Sequence, residues 1–281
     1  MLVSGNHILS KALKGKYAVG AFNTSNLEIT QGILEAASKL RAPVIVATSV
    51  KAIRYVGGPK IFALLLEELS KKLKISVVLH LDHATDIALI KAAISAGYTS
   101  VMIDGSHLPF NKNVTLTKAV VRYAEKHKVS VEGEIGIIKG SEDYIKAKKN
   151  VLTSPEEALR FVKATGVHSL ACAVGTAHGM ARGREKLDLL RIKEIERVTH
   201  IPLVLHGASK GVSPSDMKRA IALGISKINI DTEIRLAFTG SLRKSLQNKS
   251  VYDPREVLSR AREDVSETVQ KKIKLFGSSR K

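Results

Sequence analysis

Tryptophan is absent from this chain of 281 residues, aromatics of all kinds make up 4%, and there is a single cysteine. One thiol, Cys172 in an apolar run, excludes an internal disulfide framework and fits a reducing compartment. No apolar stretch approaches the length of a membrane span, and the opening MLVSGNHILSKALKGK is too interrupted to read as a signal peptide. A cytoplasmic protein is therefore expected. Acids are scarce too: Asp+Glu number 26 against 45 Lys+Arg, a formal charge of +19. That balance suits a polyanionic partner or substrates that carry phosphate. The basic residues are spread along the chain with no Arg-rich block and no interleaved aromatics, so neither a specific nucleic acid nor a membrane surface is expected as partner.

What is present is enough apolar residue, 44%, to bury a large core. Strand-like and helix-like segments alternate throughout. YAVGAF, PVIVATS, Val77 to Leu81, TSVMID, SVEGEIG, SLACAV, PLVLH and SKINI read as eight strands. Between them lie amphipathic segments with start signals: Asn26 before one face of Ile29, Ile33 and Leu40, and Ser154-Pro155 followed by Glu156 and Glu157. Eight such units predict an α/β fold, a (β/α)8 TIM barrel formed by one domain over residues 1–281, with a helical C-terminal extension at about 253–276. The segment IIKGSEDYIKAKKNV has no strong period and predicts a long mobile loop that closes over substrate.

The strand exits carry the chemistry. VLHLDHATD ends a buried strand in Asp82 and His83, VGTAHG places His178 beyond a second, and LHGAS places His206 at the end of a third. In a parallel barrel those ends lie side by side, and three imidazoles with an open fourth position describe a catalytic zinc site. His80, inside its strand, reads as a hydrogen-bonded interior histidine, while His7, His127, His168 and His200 read as solvated surface groups. Glu132 and Glu134, two apart in a strand, point to one face and need partners there. The exits HGASKGVS and NIDTE combine glycine, small hydroxyls and helix N-termini, as a phosphate site would.

LHLDHATD, SVMIDGSHLPF, VEGEIG with a GSED loop, VGTAHG, LHGAS, KINIDTE and YDPR, in that order, resemble the class II fructose-1,6-bisphosphate aldolases and the related tagatose-1,6-bisphosphate aldolases. The resemblance implies a metal-dependent aldol lyase with Zn2+ on His83, His178 and His206, and Asp82 as the acid/base at the C4 hydroxyl of the sugar. Glu142 resembles the carboxylate that moves the C1 proton of dihydroxyacetone phosphate. Gly179, Gly207, Ser209, Asp231 and Thr232 match positions around that triose and its phosphate, with a monovalent cation, Na+ or K+, held near Gly179 and Gly207. Asn229 matches a contact to the reacting carbons and Ser49 a contact to the second phosphate. Arg255 resembles the arginine that reaches that phosphate from a neighbouring subunit, which implies a homodimer or homotetramer. Asp104 and Glu134 match an alternative metal position. Lys139, Ser141 and Lys210 depart from the usual pattern, in the loop and beside the phosphate cradle. Fructose 1,6-bisphosphate is the expected substrate, with tagatose 1,6-bisphosphate or a related phosphorylated ketose as the alternative, and an inactive polyanion-binding barrel as a remote one.

Overall fold

The computed structural model describes residues 2–142, 145–179, 183, 185–208 and 211–281. The chain runs α1 (Gly5–Gly15), β1 (Val19–Asn23), α2 (Leu27–Lys39), β2 (Val44–Ser49), α3 (Val50–Val56), α4 (Pro59–Ser70), β3 (Val77–Ala84), α5 (Ile87–Ala96), β4 (Ser100–Ile103), α6 (Phe110–Glu125) and β5 (Ser130–Ile135). It continues through β6 (Gly140–Glu142), β7 (Ile145–Ala147), α7 (Pro155–Thr165), β8 (Ser169–Cys172), α8 (Leu189–Thr199), β9 (Leu203–Leu205), α9 (Pro214–Ala222), β10 (Ile225–Ile230), α10 (Thr232–Ser245) and α11 (Pro254–Leu275).

Eight of these strands close a parallel barrel in the order β1-β10-β9-β8-β5-β4-β3-β2, and β6 and β7 form a separate antiparallel pair. The fold is a TIM barrel, as the alternation of segments predicts. Strand period divides each strand between two environments. On β3, Val77, Leu79 and Leu81 face outward into the large core shared with the helices, whereas Val78, His80 and Asp82 face the barrel interior. The helix starts follow their caps: the side chains of Asn26, Asp86, Ser154, Asp188 and Ser213 each accept a backbone N–H in the first turn. The C-terminal extension is α11, which buries Val257, Ala261, Val265, Val269 and Ile273 at four-residue spacing against α2 and α10.

Three expectations need correction. The opening segment, read only as too interrupted for a signal peptide, forms α1, which closes the N-terminal end of the barrel by setting Ile8, Leu9 and Ala12 on Val19, Ile45 and Val78. PVIVATS reads from sequence as a strand ending at Ser49 in a glycine-containing loop, but Ser49 leads directly into helix α3, whose first turn it caps through a 3.3 Å bond from Ala52 N–H. His168 is half-buried and accepts the Val131 N–H at 3.1 Å, so it is a fixed structural group, unlike the exposed His7, His127 and His200.

Candidate active site

Asp82 and His83 are neighbours in sequence, and ordinary alternation would send their side chains to opposite faces of the sheet. They share the barrel mouth because His83 takes φ of 46°, in the left-handed region, where the register between β3 and β4 shifts. The strain holds an acid and a ligand-type nitrogen at one place. Asp82 is 2% exposed. Asn229 Nδ2 donates to both of its oxygens at 3.1 Å, and Asn23 Nδ2 donates to Oδ2 at 3.1 Å. Burial raises the Asp82 carboxyl, but the positive charge at His83, joined by His80, Lys227 and His206, outweighs that and holds it well below the usual carboxylate range.

His83, His178 and His206 converge, with one nitrogen of each within 4.8 Å of the others. The ring centroids stand 4.6 Å apart for His83 and His206 and 5.1 Å for His83 and His178. Two of the rings are held from behind. His83 Nδ1 meets Asp104 Oδ2 at 2.8 Å, and His206 Nε2 meets Glu132 Oε1 at 2.8 Å. A carboxylate behind each ring puts a hydrogen on the outer nitrogen and leaves a lone pair on the inner one. The inner pair, His83 Nε2 and His206 Nδ1, face each other at 2.9 Å, and two lone pairs at that distance need a proton or a metal ion between them.

Without a metal the proton goes to His83. Burial works against it, yet Asp82, Asp104 and Glu134 hold the imidazolium well above its ordinary range, while burial and that charge push His206 down to about 4. The donor set therefore fits a divalent cation taken by neutral imidazoles, and zinc is the ion that three histidines with an open position suit.

Asp104 is fixed by Ser106, whose N–H and hydroxyl donate to Oδ1 at 3.1 and 2.7 Å. Glu134 stands 3.9 Å from His83 Nδ1 and keeps one buried oxygen without a hydrogen bond; burial and Asp104 raise it well above the carboxylate range. His83, Asp104 and Glu134 thus form a second group that could hold an ion.

The pocket over these groups is lined by Asn23, Asp82, His83, His178, Gly179, His206, Gly207, Asn229, Asp231 and Thr232. An adjoining groove that shares Asn23 and Asp231 is lined by Ser49, Lys51, Tyr55 and Arg235. Gly207 has φ of 67°, and a Cβ there would meet Ala177 O at 2.5 Å, so only glycine lets the loops bearing His178 and His206 come this close. The loop expected to be mobile has a fixed base. Ile137 and Val151 exchange 2.8 Å backbone bonds, and Lys139 accepts the His178 N–H at 2.9 Å. Glu142 ends β6 opposite Ile145, so the hairpin carries it from a base joined to the His178 loop. Ser209 and Lys210 lie outside the described residues. Arg255 is exposed at the start of α11 with its guanidinium forked onto Asp253 at 2.7 to 3.2 Å, and it does not line the pocket of its own chain.

Asn23 and Lys227 were not singled out from sequence. Asn23 ends strand β1 as Asp82 nears the end of β3, so the strand-exit rule could have found it.

Residues 3–281 match the family described as fructose-bisphosphate aldolase class-II. A fructose-bisphosphate aldolase of Geobacillus stearothermophilus is 45% identical over 283 aligned residues, covering 100% of this chain and 98% of that one. One of Thermus caldophilus is 43% identical, with 99% of each chain covered. Among solved structures, the YdjI aldolase of Escherichia coli K12 superposes with a TM-score of 0.88 at 31% identity, covering 99% of this chain and 98% of that one.

Proposed function

The chain belongs to the class II fructose-bisphosphate aldolase family, and on that premise we propose that it reversibly cleaves fructose 1,6-bisphosphate to dihydroxyacetone phosphate and glyceraldehyde 3-phosphate with zinc held by His83, His178 and His206. The observation that carries this reading is the buried Asp82 carboxylate beside two imidazoles whose inner nitrogens face each other at 2.9 Å. Zinc bound there supplies Lewis acidity for the negative charge left on the ketone half when the C3–C4 bond breaks.

The chain's own residues do the rest. Asp82 takes the proton of the C4 hydroxyl; Asn23 and Asn229 hold both its oxygens, so the base is already aimed before substrate arrives. The positive charge around Asp82 keeps that carboxylate ionised and ready to accept a proton, and its effect as a base comes from its fixed position against the bound hydroxyl rather than from a raised basicity. Glu142, brought by the hairpin, exchanges the C1 proton of the triose. Gly179, Gly207, Ser209, Asp231 and Thr232 hold the triose and its phosphate, with Na+ or K+ beside the glycines, and Ser49 lies toward the second phosphate. Arg255 of a second subunit completes that end, which makes the working protein a homodimer or homotetramer, each subunit one domain over residues 1–281.

The test is triose-phosphate release from fructose 1,6-bisphosphate and from tagatose 1,6-bisphosphate, before and after chelation and with zinc restored. Chelator-sensitive, zinc-rescued cleavage of the fructose sugar is expected. Preference for the tagatose sugar would overturn the substrate assignment, and chelator-resistant cleavage would overturn the metal assignment.

A further inference from the structure

A lysine ammonium lies inside the closed barrel. Lys227 on β10 has a side chain 1% exposed, and it neither lines the pocket nor touches a candidate ligand. A buried ammonium is retained where it is paired, and an apolar residue of the same volume would pack such an interior at least as well. Its partners explain its presence. Nζ donates to Glu132 Oε2 at 2.7 Å and to His80 Nε2 at 3.1 Å, while His80 Nδ1 is tied to Ser100 Oγ at 2.8 Å. The other oxygen of Glu132 is the one that meets His206 Nε2. The strands concerned, β10, β5 and β3, are not neighbours in the barrel, so this chain of bonds crosses the interior from Ser100 to His206.

We propose that Lys227 is a positioning residue for the metal centre: by engaging Glu132 Oε2 it fixes the carboxylate with Oε1 toward His206 Nε2, so that His206 presents Nδ1 inward. The inference rests on the metal site proposed above. Removing the ammonium leaves Glu132 Oε2 without a donor, lets the carboxylate turn, and frees the imidazole to take the other tautomer or orientation. Lys227 acts on the metal only through Glu132, and that is the part that can be tested.

Zinc affinity is measured by competition with a chromophoric chelator for the full-length wild type, K227M, E132Q and K227M/E132Q, with circular dichroism to establish folding and the visible spectrum of the cobalt-loaded proteins to report ligand geometry. Outer partners of metal-bound histidines are worth about 10–100-fold in affinity, and a loss in that range is expected for K227M and for E132Q, each with an altered cobalt spectrum. Because both changes break one chain of bonds, the double variant is expected to bind zinc no more weakly than E132Q. A folded K227M that binds zinc within about twofold of wild type overturns the proposal, as do losses that multiply in the double variant. If the uncompensated Glu132 prevents K227M from folding, the charge-balanced double variant set against E132Q decides: equal affinity supports the proposal, and a further tenfold loss overturns it. Wild-type protein that binds no zinc overturns the metal reading itself; zinc binding by wild type with unaltered variants removes only the role of Lys227.

Discussion

At the N-terminal end of the barrel, α1 lays Ile8 and Leu9 on Val19, Ile45 and Val78, an apolar cluster with no hydrogen-bonding demands of its own. Farther along the same interior stand His80, Asp82, Glu132, Glu134, His206, Lys227 and Asn229, all buried and all polar or charged. One end buries what water rejects, and the other buries what water holds. Burying charged groups is costly even when they are paired, so the mouth persists because the apolar end and the helical shell stabilise the whole. The left-handed conformation of His83 is a local sign of the same division, since strain of that kind persists only where the surrounding structure fixes it.

The sharpest way to break this contrast is Asp82→Ala. Loss of a positioned acid/base is expected to lower kcat by about 10²–10⁴, with a smaller loss of stability than a core truncation causes. Steady-state kinetics and thermal unfolding of the same preparation check it. A midpoint that falls as far as that of a core variant would show that the mouth also carries stability. The converse variant is Leu9→Ala at the closed end, where Leu9 is 4% exposed. Truncating a buried leucine costs about 2–5 kcal/mol, so denaturant unfolding is expected to shift by that amount while kcat of the folded protein stays within about twofold. A larger fall in kcat would mean that α1 helps to shape the mouth.

The contrast also separates what was legible in sequence from what was not. The barrel was legible because its strands are buried on both faces and alternate with capped amphipathic helices, a pattern that few other topologies satisfy. Asp82, His83, His178 and His206 were legible as polar residues breaking apolar strands at one end. The demand that inward-facing Glu132 have a partner was legible too, but the partner was not, because His206 and Lys227 come from strands that only barrel closure brings opposite. Lys227 had one local signal: it shares the inward face of SKINI with Asn229, where a solvated lysine has no place. The α1 plug was hidden for a different reason. Its apolar residues are few, and the surface they cover exists only once the barrel has closed.

The smallest expected effect lies at the closed end, at His168. Burial lowers its pKa below the usual value near 6.5, and its Nδ1 accepts the Val131 N–H at the start of β5, a bond that needs a lone pair on that nitrogen. In the folded protein the ring therefore resists protonation, whereas in the unfolded chain it takes a proton near 6.5. Above that pH both states are neutral and the group adds no pH dependence. Below it the unfolded chain binds the proton first, so stability falls as pH drops through 6.5 toward the lower folded value. His168→Gln keeps an acceptor for Val131 and cannot titrate. The drop in Tm between pH 7.5 and 5.5 is expected to be smaller in this variant by about 1–2 °C, with activity at pH 7.5 unchanged. An equal drop in both proteins would assign the acid sensitivity of the fold to the mouth, where the histidines stand among carboxylates.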